Sequence, residues 1–472
     1  MFFGRDRELA HLEALYKTDE FQFVVMYGRR RVGKTALISE FIDLQHKPAI
    51  FFSAQEYDAP TALQLFSERV YEFFGLTNLP PFDNWPRVLE FIAKRAVTER
   101  IILALDEFPY LAAANKSIPS VLQNIIDHHF KHSKIFLILC GSSIGFMERG
   151  VLSEKSPLYG RLTSRMEIMP FSYLDSAKFF PRYSFTDKVA AYGIMGGIPQ
   201  YLLRINDSRN LKDNIVAGIL SKASALYEEP RNLLKEELRK PMIYNVIIEA
   251  VAKGQTRLND IATKTNIPRD KCLKYIRSLL DLHILIRETP IGENAGRRSI
   301  YKLTDNFFKF WYAFVFENAE LVEQGNGEAL YDSTVSPVLS EYLGAYIFED
   351  ICKDYLRRIN GDSNAVGIKL PFLFTSIGRW WGTNPKTRME EEIDILAFHK
   401  KEALFCECKW TTKMMGADVL AALKEKAGLF PQYTSKHYAL FSKSGFNAEL
   451  KRLAAQSGDI LLIDLKALFA PD

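Results

Sequence analysis

The stretch GRRRVGKT at residues 28–35 decides the fold of the first part of the chain. It follows the apolar run FQFVVMY (21–27) and precedes a helical run at 36–42, which is the strand-loop-helix setting of a GxxxxGK[ST] phosphate-binding loop. In such a loop, backbone N–H groups face the phosphates, the lysine reaches the β and γ oxygens, and the hydroxyl coordinates Mg²⁺. The residues predicted to bind nucleotide here are Gly28, Arg29, Arg30, Arg31, Val32, Gly33, Lys34 and Thr35. The arginine heads are expected to offset nucleotide charge or lie in solvent, with a nucleic-acid contact as the alternative.

Polar residues follow two further apolar runs, at 100–107 and 134–143. Runs that are apolar at every position and alternate with amphipathic segments are typical of parallel strands covered by helices on both faces. Asp106 and Glu107 end one run, where Asp106 is predicted to hold hydrated magnesium and Glu107 to polarise the attacking water; a turn or helix cap is the alternative. Ser142 or its neighbour ends the other run and is predicted to sense the γ-phosphate, or to act as a plain cap.

The amino-acid composition limits the class of protein to which the chain can belong. The 472 residues are 47% apolar and 25% charged, as in soluble globular chains of about three domains, which excludes a disordered or collagen-like protein. No run is long and apolar enough to span a membrane, and the charged N-terminus excludes a signal peptide, so we expect a cytoplasmic location. The five scattered cysteines contain no CxxC pair, which argues against a disulfide framework or a zinc site.

The pattern along the chain predicts an α/β protein with five segments. Residues 171–240 read as short helices interrupted by prolines and glycines, and 241–316 as three helices and a hairpin, typical of a winged helix-turn-helix. The predicted segments are a P-loop core (1–170), a helical lid (171–240), a winged helix (241–316), a linker (317–340) and a last α/β unit (341–472).

The first 310 residues resemble the AAA+ and signal-transducing (STAND) class of P-loop ATPases, in particular a prokaryotic group most abundant in archaea. FFGRDREL (2–9) is similar to the element of that class that wraps the adenine; Gly4 and Arg5 are intact, and Asp6 stands where the class has Glu. GIP (197–199) resembles the GxP element, which implies that Pro199 touches the base. The resemblance therefore implies that the nucleotide is ATP, used with Mg²⁺.

The segment GRLTSR (160–165) resembles the arginine-bearing segment of the same class. The resemblance implies that Arg161 or Arg165 neutralises charge in the transition state, in the same chain or on a neighbouring subunit. A surface arginine capping a helix is the alternative for each of the two.

A second constellation lies near the end of the chain. Asp394 is on one predicted strand, and Glu407 and Lys409 are two residues apart on the next, so alternation puts the latter two on one face. Two carboxylates that hold Mg²⁺ beside a lysine that orients or deprotonates water are the minimum equipment for phosphodiester hydrolysis. A preceding predicted helix carries Glu349.

Residues 341–472 resemble the PD-(D/E)xK nuclease (restriction-endonuclease-like) fold, in the version fused to ATPases of the group named above. All four positions, Glu349, Asp394, Glu407 and Lys409, are present, although the Pro that names the motif is absent. The resemblance implies Mg²⁺, with Mn²⁺ as a second candidate metal. The alternative is a nuclease-like fold kept for binding or scaffolding.

The predicted winged helix is basic, with 12 Lys and Arg against 7 Asp and Glu over residues 241–316. Lys271, Lys274 and Arg277 recur along the presumed recognition helix, and Arg297 and Arg298 lie on the wing. Such a surface is suited to DNA phosphates, while a packing or regulatory module is the alternative. Two hypotheses follow: an ATP-regulated nuclease that binds nucleic acid, most simply DNA, or an ATP-dependent switch that binds DNA, protein or a second copy of itself and cleaves nothing.

Overall fold

The computed structural model describes residues 2–44, 46–293, 296, 298–361, 368–385 and 387–470. Backbone contacts divide the chain into two compact units, residues 1–171 with 198–200, and residues 172–197 with 201–472. Arg297, predicted to lie on the wing, is outside the described residues. Among the helices in those ranges, none is long and apolar enough to cross a membrane.

The first unit is built on five parallel strands covered by helices. The strands are β1 (Gln22–Tyr27), β2 (Ala49–Ser53), β3 (Ile101–Asp106), β4 (Ile135–Gly141) and β5 (Ser164–Glu167), and the helices are α1 (Asp6–Tyr16), α2 (Lys34–Asp43), α3 (Ala59–Phe73), α4 (Trp85–Arg95), α5 (Phe108–Ala114), α6 (Ile118–His128) and α7 (Ile144–Phe146). The strand order is β2-β3-β4-β1-β5. Every residue of β1, β3 and β4 is buried, because these strands are covered on both faces.

The start of the second unit is helical. Its elements are α8 (Tyr173–Ala177), α9 (Phe185–Met195), α10 (Pro199–Leu202, which begins in the first unit), α11 (Leu211–Gly218), α12 (Glu229–Glu237), α13 (Pro241–Ala252), α14 (Leu258–Thr265), α15 (Arg269–Asp281), β6 (Leu285–Glu288), β7 (Ile300–Leu303), α16 (Asn306–Phe310), α17 (Ala319–Glu323), α18 (Gly327–Leu330), α19 (Leu339–Leu343) and α20 (Glu349–Ile359). Strands β6 and β7 pair antiparallel. Ser172, Ser184 and Asn210 cap α8, α9 and α11 by accepting backbone N–H groups, which satisfies donors that a helix start leaves unpaired.

The chain ends in a second sheet. Its elements are β8 (Ser376–Thr383), β9 (Glu390–His399), β10 (Glu402–Lys409), α21 (Ala417–Ala427), β11 (Ser435–Ser442), α22 (Ala448–Gln456), β12 (Ile460–Asp464) and α23 (Leu465–Leu468). The order is β12-β11-β10-β9-β8, with β8, β9 and β10 antiparallel and β10, β11 and β12 parallel. Helix α23 contacts the first helices of this unit, since the Tyr173 hydroxyl donates to the Leu468 carbonyl at 2.7 Å and the Phe469 ring stacks on Phe185.

Residues 317–340 differ from the expected linker. They form α17, α18 and a helical turn at Tyr331–Val335, with Val322, Leu330 and Val335 fully buried. The polar residues that suggested a linker lie on the outer side of these helices, and Lys212 forms ion pairs with two of them, Glu328 and Asp332. A Cβ at Gly327 would lie 2.0 Å from the Leu220 carbonyl oxygen, so this glycine is required by close packing rather than by chain flexibility.

We expect Gly327→Ala to destabilise the second unit by about 1–3 kcal/mol, because the added methyl group must displace backbone in a packed region. Chemical denaturation of the full chain measures the change in the free energy of unfolding. Gly458→Ala is the matched control, since a Cβ there meets nothing within 4 Å. Equal stability of the two variants would contradict the packing assigned to this segment.

Candidate functional site

The phosphate loop joins β1 to α2 and requires glycine at both ends. Gly28 has φ +151°, and a Cβ there would lie 2.3 Å from the Ile168 carbonyl oxygen. Gly33 has φ +90° and immediately precedes α2, so the N-terminus of this helix opens at the loop. Backbone N–H groups at a helix start form a binding site for anions, and the loop therefore has the shape that phosphate binding needs.

The lysine and hydroxyl of the loop are held at the ends of the central strands. Lys34 is 5% exposed, and its ammonium group donates to the Gly28 and Arg29 carbonyls at 2.9 and 3.0 Å. The Thr35 hydroxyl donates to a carboxylate oxygen of Asp106 at 2.7 Å. Parallel strands end at one edge of the sheet, and this brings β3 and the loop after β1 together as the sequence predicts. Thr35 and Asp106 together offer the oxygen ligands that Mg²⁺ prefers.

Glu107 lies directly beside this pair and is held by Ser142. The Ser142 hydroxyl donates to one carboxylate oxygen of Glu107, and the Ser142 N–H donates to the other at 3.4 Å. Glu107 has φ +50°, an uncommon backbone conformation for a residue with a side chain, and one that recurs at functional sites. Of the two serines after β4, Ser142 is the one that contacts this carboxylate.

Arg5 has internal partners that the sequence did not reveal. It is 8% exposed, donates to the Val32 and Met169 carbonyls at 3.0 and 2.7 Å, and lies over the Phe171 ring. Arg5 therefore ties the phosphate loop to the segment after β5. Gly4 has φ +65°, which lets the chain turn into α1.

The side chains of the three loop arginines are partly or fully buried, and Pro199 lies close to the loop. Arg29 is 8% exposed, so its head does not lie in solvent, and Arg30 donates to the Tyr110 hydroxyl at 3.0 Å. Arg31 has φ +69° and is half-buried. A Cβ at Gly33 would lie 3.7 Å from the Pro199 ring, so Pro199 is beside the predicted nucleotide site.

The two arginines of GRLTSR have different surroundings. Arg161 forms an ion pair and hydrogen bonds with Asp127, and these hydrogen bonds lower the pKa of Asp127 to about 2. Arg165 has a half-exposed side chain on β5, with Nε donating to the Tyr27 hydroxyl at 2.7 Å. Both arginines therefore have partners within their own unit, and Arg165, which also pairs with Glu148 at 3.6 Å, is the more exposed of the two.

The C-terminal sheet brings three carboxylates together. Glu349 on α20 and Glu392 and Asp394 on β9 each offer an oxygen atom, and these oxygens lie within 4.8 Å of one another. Glu349 and Asp394 are two of the residues predicted from the sequence. Glu392 was missed, although strand alternation puts it on the same face as Asp394. Three converging carboxylates are suited to a divalent cation such as Mg²⁺ or Mn²⁺.

Glu407 and Lys409 lie beside this cluster but contact each other. The Lys409 ammonium group donates to Glu407 at 2.5 Å, and Lys426 on α21 lies 3.3 Å from the other oxygen of Glu407. The Cys408 N–H donates to Asp394 at 2.7 Å, which joins β10 to the cluster. Glu407 is thus neutralised by two lysines, and Lys426 is a further residue that the sequence analysis missed.

Burial and like charge shift the pKa values of the cluster upward. Burial, followed by the charge of Asp394, raises the pKa of Glu349 to about 8. Burial, followed by the charge of Glu407, raises the pKa of Asp394 to about 6, against the lowering effect of the Cys408 N–H. Carboxylates that are hard to ionise without a counter-charge fit a divalent cation, which relieves their repulsion.

The basic residues predicted to contact DNA differ in their surroundings. Lys271, Lys274 and Arg277 are all exposed on α15. Arg298 instead donates to the Trp381 carbonyl at 3.2 Å and forms an ion pair with Glu293. Its guanidinium thus has partners within the chain, which differs from the expected phosphate contact, because the wing packs on the C-terminal sheet.

We expect Glu349→Gln to stabilise the metal-free protein increasingly as the pH rises from 5 to 8. The folded pKa of Glu349 lies above its ordinary value of 4.5, so the folded state binds this proton more tightly, and stability is lost as the pH rises through that interval. Thermal melting in EDTA should show an advantage of a few degrees for the variant at pH 8. The exposed Glu425→Gln is the control, and a difference independent of pH would contradict the assigned shift.

Two solved structures are similar to part of the chain. The ORC2 protein of Aeropyrum pernix is 11% identical, with a TM-score of 0.41 over 68% of this chain and 95% of that chain. The RuvB Holliday junction branch migration motor of Thermotoga maritima is 18% identical, with a TM-score of 0.33 over 65% of this chain and 94% of that chain.

Sequence comparisons extend over the whole chain. Residues 2–205 match the family described as "ATPase domain predominantly from Archaea", and residues 311–425 match the family described as "Archaea bacterial proteins of unknown function". An uncharacterized protein of Methanocaldococcus jannaschii is 32% identical over 476 residues, which cover 99% of each chain. An uncharacterized ATP-binding protein of the same organism is 44% identical over 43 residues, which are 9% of this chain and 73% of that one. The chain therefore belongs to the same family as the full-length relative, and its residues 2–205 are a predominantly archaeal type of P-loop ATPase domain.

Proposed function

We propose that this ATPase couples Mg²⁺-dependent ATP hydrolysis to DNA binding and to metal-dependent phosphodiester cleavage by its C-terminal domain. The observation that carries the cleavage part is the convergence of Glu349, Glu392 and Asp394 beside the Glu407–Lys409 pair. Solvated acidic residues need not converge from a helix and a strand that are far apart in the sequence, whereas a metal site demands it. A cytoplasmic location remains the prediction from the sequence.

In the ATPase site, each group has a role that its position supports. Lys34 binds the β and γ phosphates, and the residues that would hold Mg²⁺ are Thr35 and Asp106. The metal, when bound, neutralises phosphate charge. Glu107 accepts a proton from the attacking water, and Ser142 orients its carboxylate through the two hydrogen bonds described above. Arg165, being exposed, is the better placed of the two arginines to act on a neighbouring subunit.

In the C-terminal site, Glu349, Glu392 and Asp394 would hold the metal, with Glu407 at its border. Mg²⁺ or Mn²⁺ supplies Lewis-acid chemistry there when bound. Lys409 orients the attacking water, since its ammonium group lies next to the carboxylates. Against the lowering effect of burial, Glu407 raises the pKa of Lys409, which keeps this group protonated as a hydrogen-bond donor. The exposed basic residues of α15 favour DNA as the polymer that is brought to this site.

A second candidate function is an ATP-dependent switch or DNA-binding regulator that cleaves nothing. The observation that favours it is that Lys409 and Lys426 already neutralise Glu407, so this carboxylate is stable without a metal. In that case the partner is DNA, another protein or a second copy of the chain.

We expect Lys34→Ala to lose nucleotide binding and Glu107→Gln to keep binding while hydrolysing ATP at least about a hundredfold more slowly, since the amide cannot accept a proton. Binding of a fluorescent ATP analogue and release of phosphate measure the two steps. Glu20→Gln, an exposed residue of the same unit, is the control. Unchanged turnover of Glu107→Gln would remove Glu107 from its role.

We expect Lys409→Ala to abolish cleavage while sparing ATP hydrolysis, because the two sites lie in different units. The assay incubates the full chain with single- and double-stranded DNA and RNA, with Mg²⁺ or Mn²⁺, with and without ATP. Lys413→Ala, which alters an exposed lysine just beyond β10, should cleave as the wild type does. If the wild type and Lys409→Ala degrade every substrate equally, or neither degrades any, the regulator function replaces the nuclease function.

A further inference from the structure

Arg379 lies on the edge strand β8 and reaches the acid cluster of the C-terminal sheet. Its guanidinium group pairs with Glu392 through both Nε and a terminal nitrogen. The charges of Glu349 and Glu392 raise the pKa of Arg379 against the lowering effect of burial. The guanidinium is therefore a cation that contacts one of the three carboxylates, Glu392, and that also interacts electrostatically with Glu349.

A cation is needed in this position because the carboxylates are half-buried. Three carboxylates with oxygens within 4.8 Å of one another repel strongly when they are ionised where water is partly excluded. The neighbouring Lys409 and Lys426 are both committed to Glu407. Arg379 supplies the positive charge that contacts Glu392 directly.

The wing of the β6–β7 hairpin fixes the backbone that carries Arg379. The Ile291 N–H donates to the Arg379 carbonyl at 2.9 Å, and Arg298 donates to the Trp381 carbonyl two residues further on. Gly378 lies against the Ile291 side chain on the other side. These contacts hold the backbone of the strand, so the guanidinium group can leave Glu392 by a rotation of its own side chain.

We propose that Arg379 is an internal counter-ion of the acid cluster, which competes with the divalent metal for Glu392 and is released when the metal binds. The released guanidinium group is then free to bind a phosphate, for which its planar array of donors is suited. Arg379 is thus a positioning residue. That the phosphate belongs to a nucleic acid rests on the proposed cleavage function, whereas the competition between Arg379 and the metal for Glu392 does not.

The test is calorimetric titration of the nucleotide-free full chain with Mn²⁺. Arg379→Gln and Arg379→Met remove the charge, and the second keeps the aliphatic stem near the Trp381 ring. Both should bind Mn²⁺ at least about tenfold more tightly than the wild type, because a unit positive charge no longer opposes the ion. Arg379→Lys keeps the charge and should stay within about threefold of the wild type. Arg357→Gln is the control, because Arg357 pairs with Asp354, outside the cluster.

Adding Asp394→Asn to each variant identifies the site, since the gain in affinity must disappear with it. Unchanged or weaker Mn²⁺ binding by both Arg379→Gln and Arg379→Met overturns the proposal, as does a gain that survives Asp394→Asn or the lack of any Asp394-dependent binding. If the Arg379 variants bind Mn²⁺ more tightly but the protein cleaves no nucleic acid, the counter-ion proposal stands and the cleavage function is refuted. If the protein cleaves nucleic acid but the Arg379 variants bind Mn²⁺ with unchanged affinity, the cleavage function stands and the counter-ion proposal is refuted.

Discussion

Carboxylates that leave bulk water must be balanced by positive charge or by hydrogen-bond donors, and this constraint governs both sheets. In the first unit, Asp106 is 2% exposed and accepts hydrogen bonds from the Thr35 hydroxyl and the Glu107 N–H. In the second unit, Arg379 pairs with Glu392, and Glu407 with two lysines. Carboxylates of each five-stranded sheet thus have positively charged partners or hydrogen-bond donors within the chain.

Within the second unit, the helices at its start contact the end of the chain. Tyr173 and Phe185, in the region expected as a lid, contact Leu468 and Phe469 at the end of the chain. The wing contacts β8 through Ile291. The helical region and the wing therefore both pack against the part of this unit that carries the acid cluster.

The sequence revealed most of what local patterns encode. The phosphate loop and strands such as β3 and β4 could be predicted because fully buried parallel strands are apolar at every position. Strand β8 was missed, since its residues are mostly half-buried and mixed in polarity, and with it Arg379. Pairings between distant residues, such as Arg161 with Asp127, leave no trace in spacing. The linker expected at residues 317–340 was wrong for the same reason. Gly327 is required because the backbone of Leu220, distant in sequence, packs against it.

We propose that one chain carries two separate metal-dependent centres. Anomalous diffraction from crystals of the full chain, grown with Mn²⁺ and a non-hydrolysable ATP analogue, tests it most directly. We expect one manganese peak beside Thr35 and Asp106, and a second about 2.0–2.3 Å from oxygens of Glu349 and Asp394. The Arg379 guanidinium group should no longer contact Glu392. A single peak at the nucleotide, with Arg379 still paired to Glu392 at saturating Mn²⁺, would contradict it.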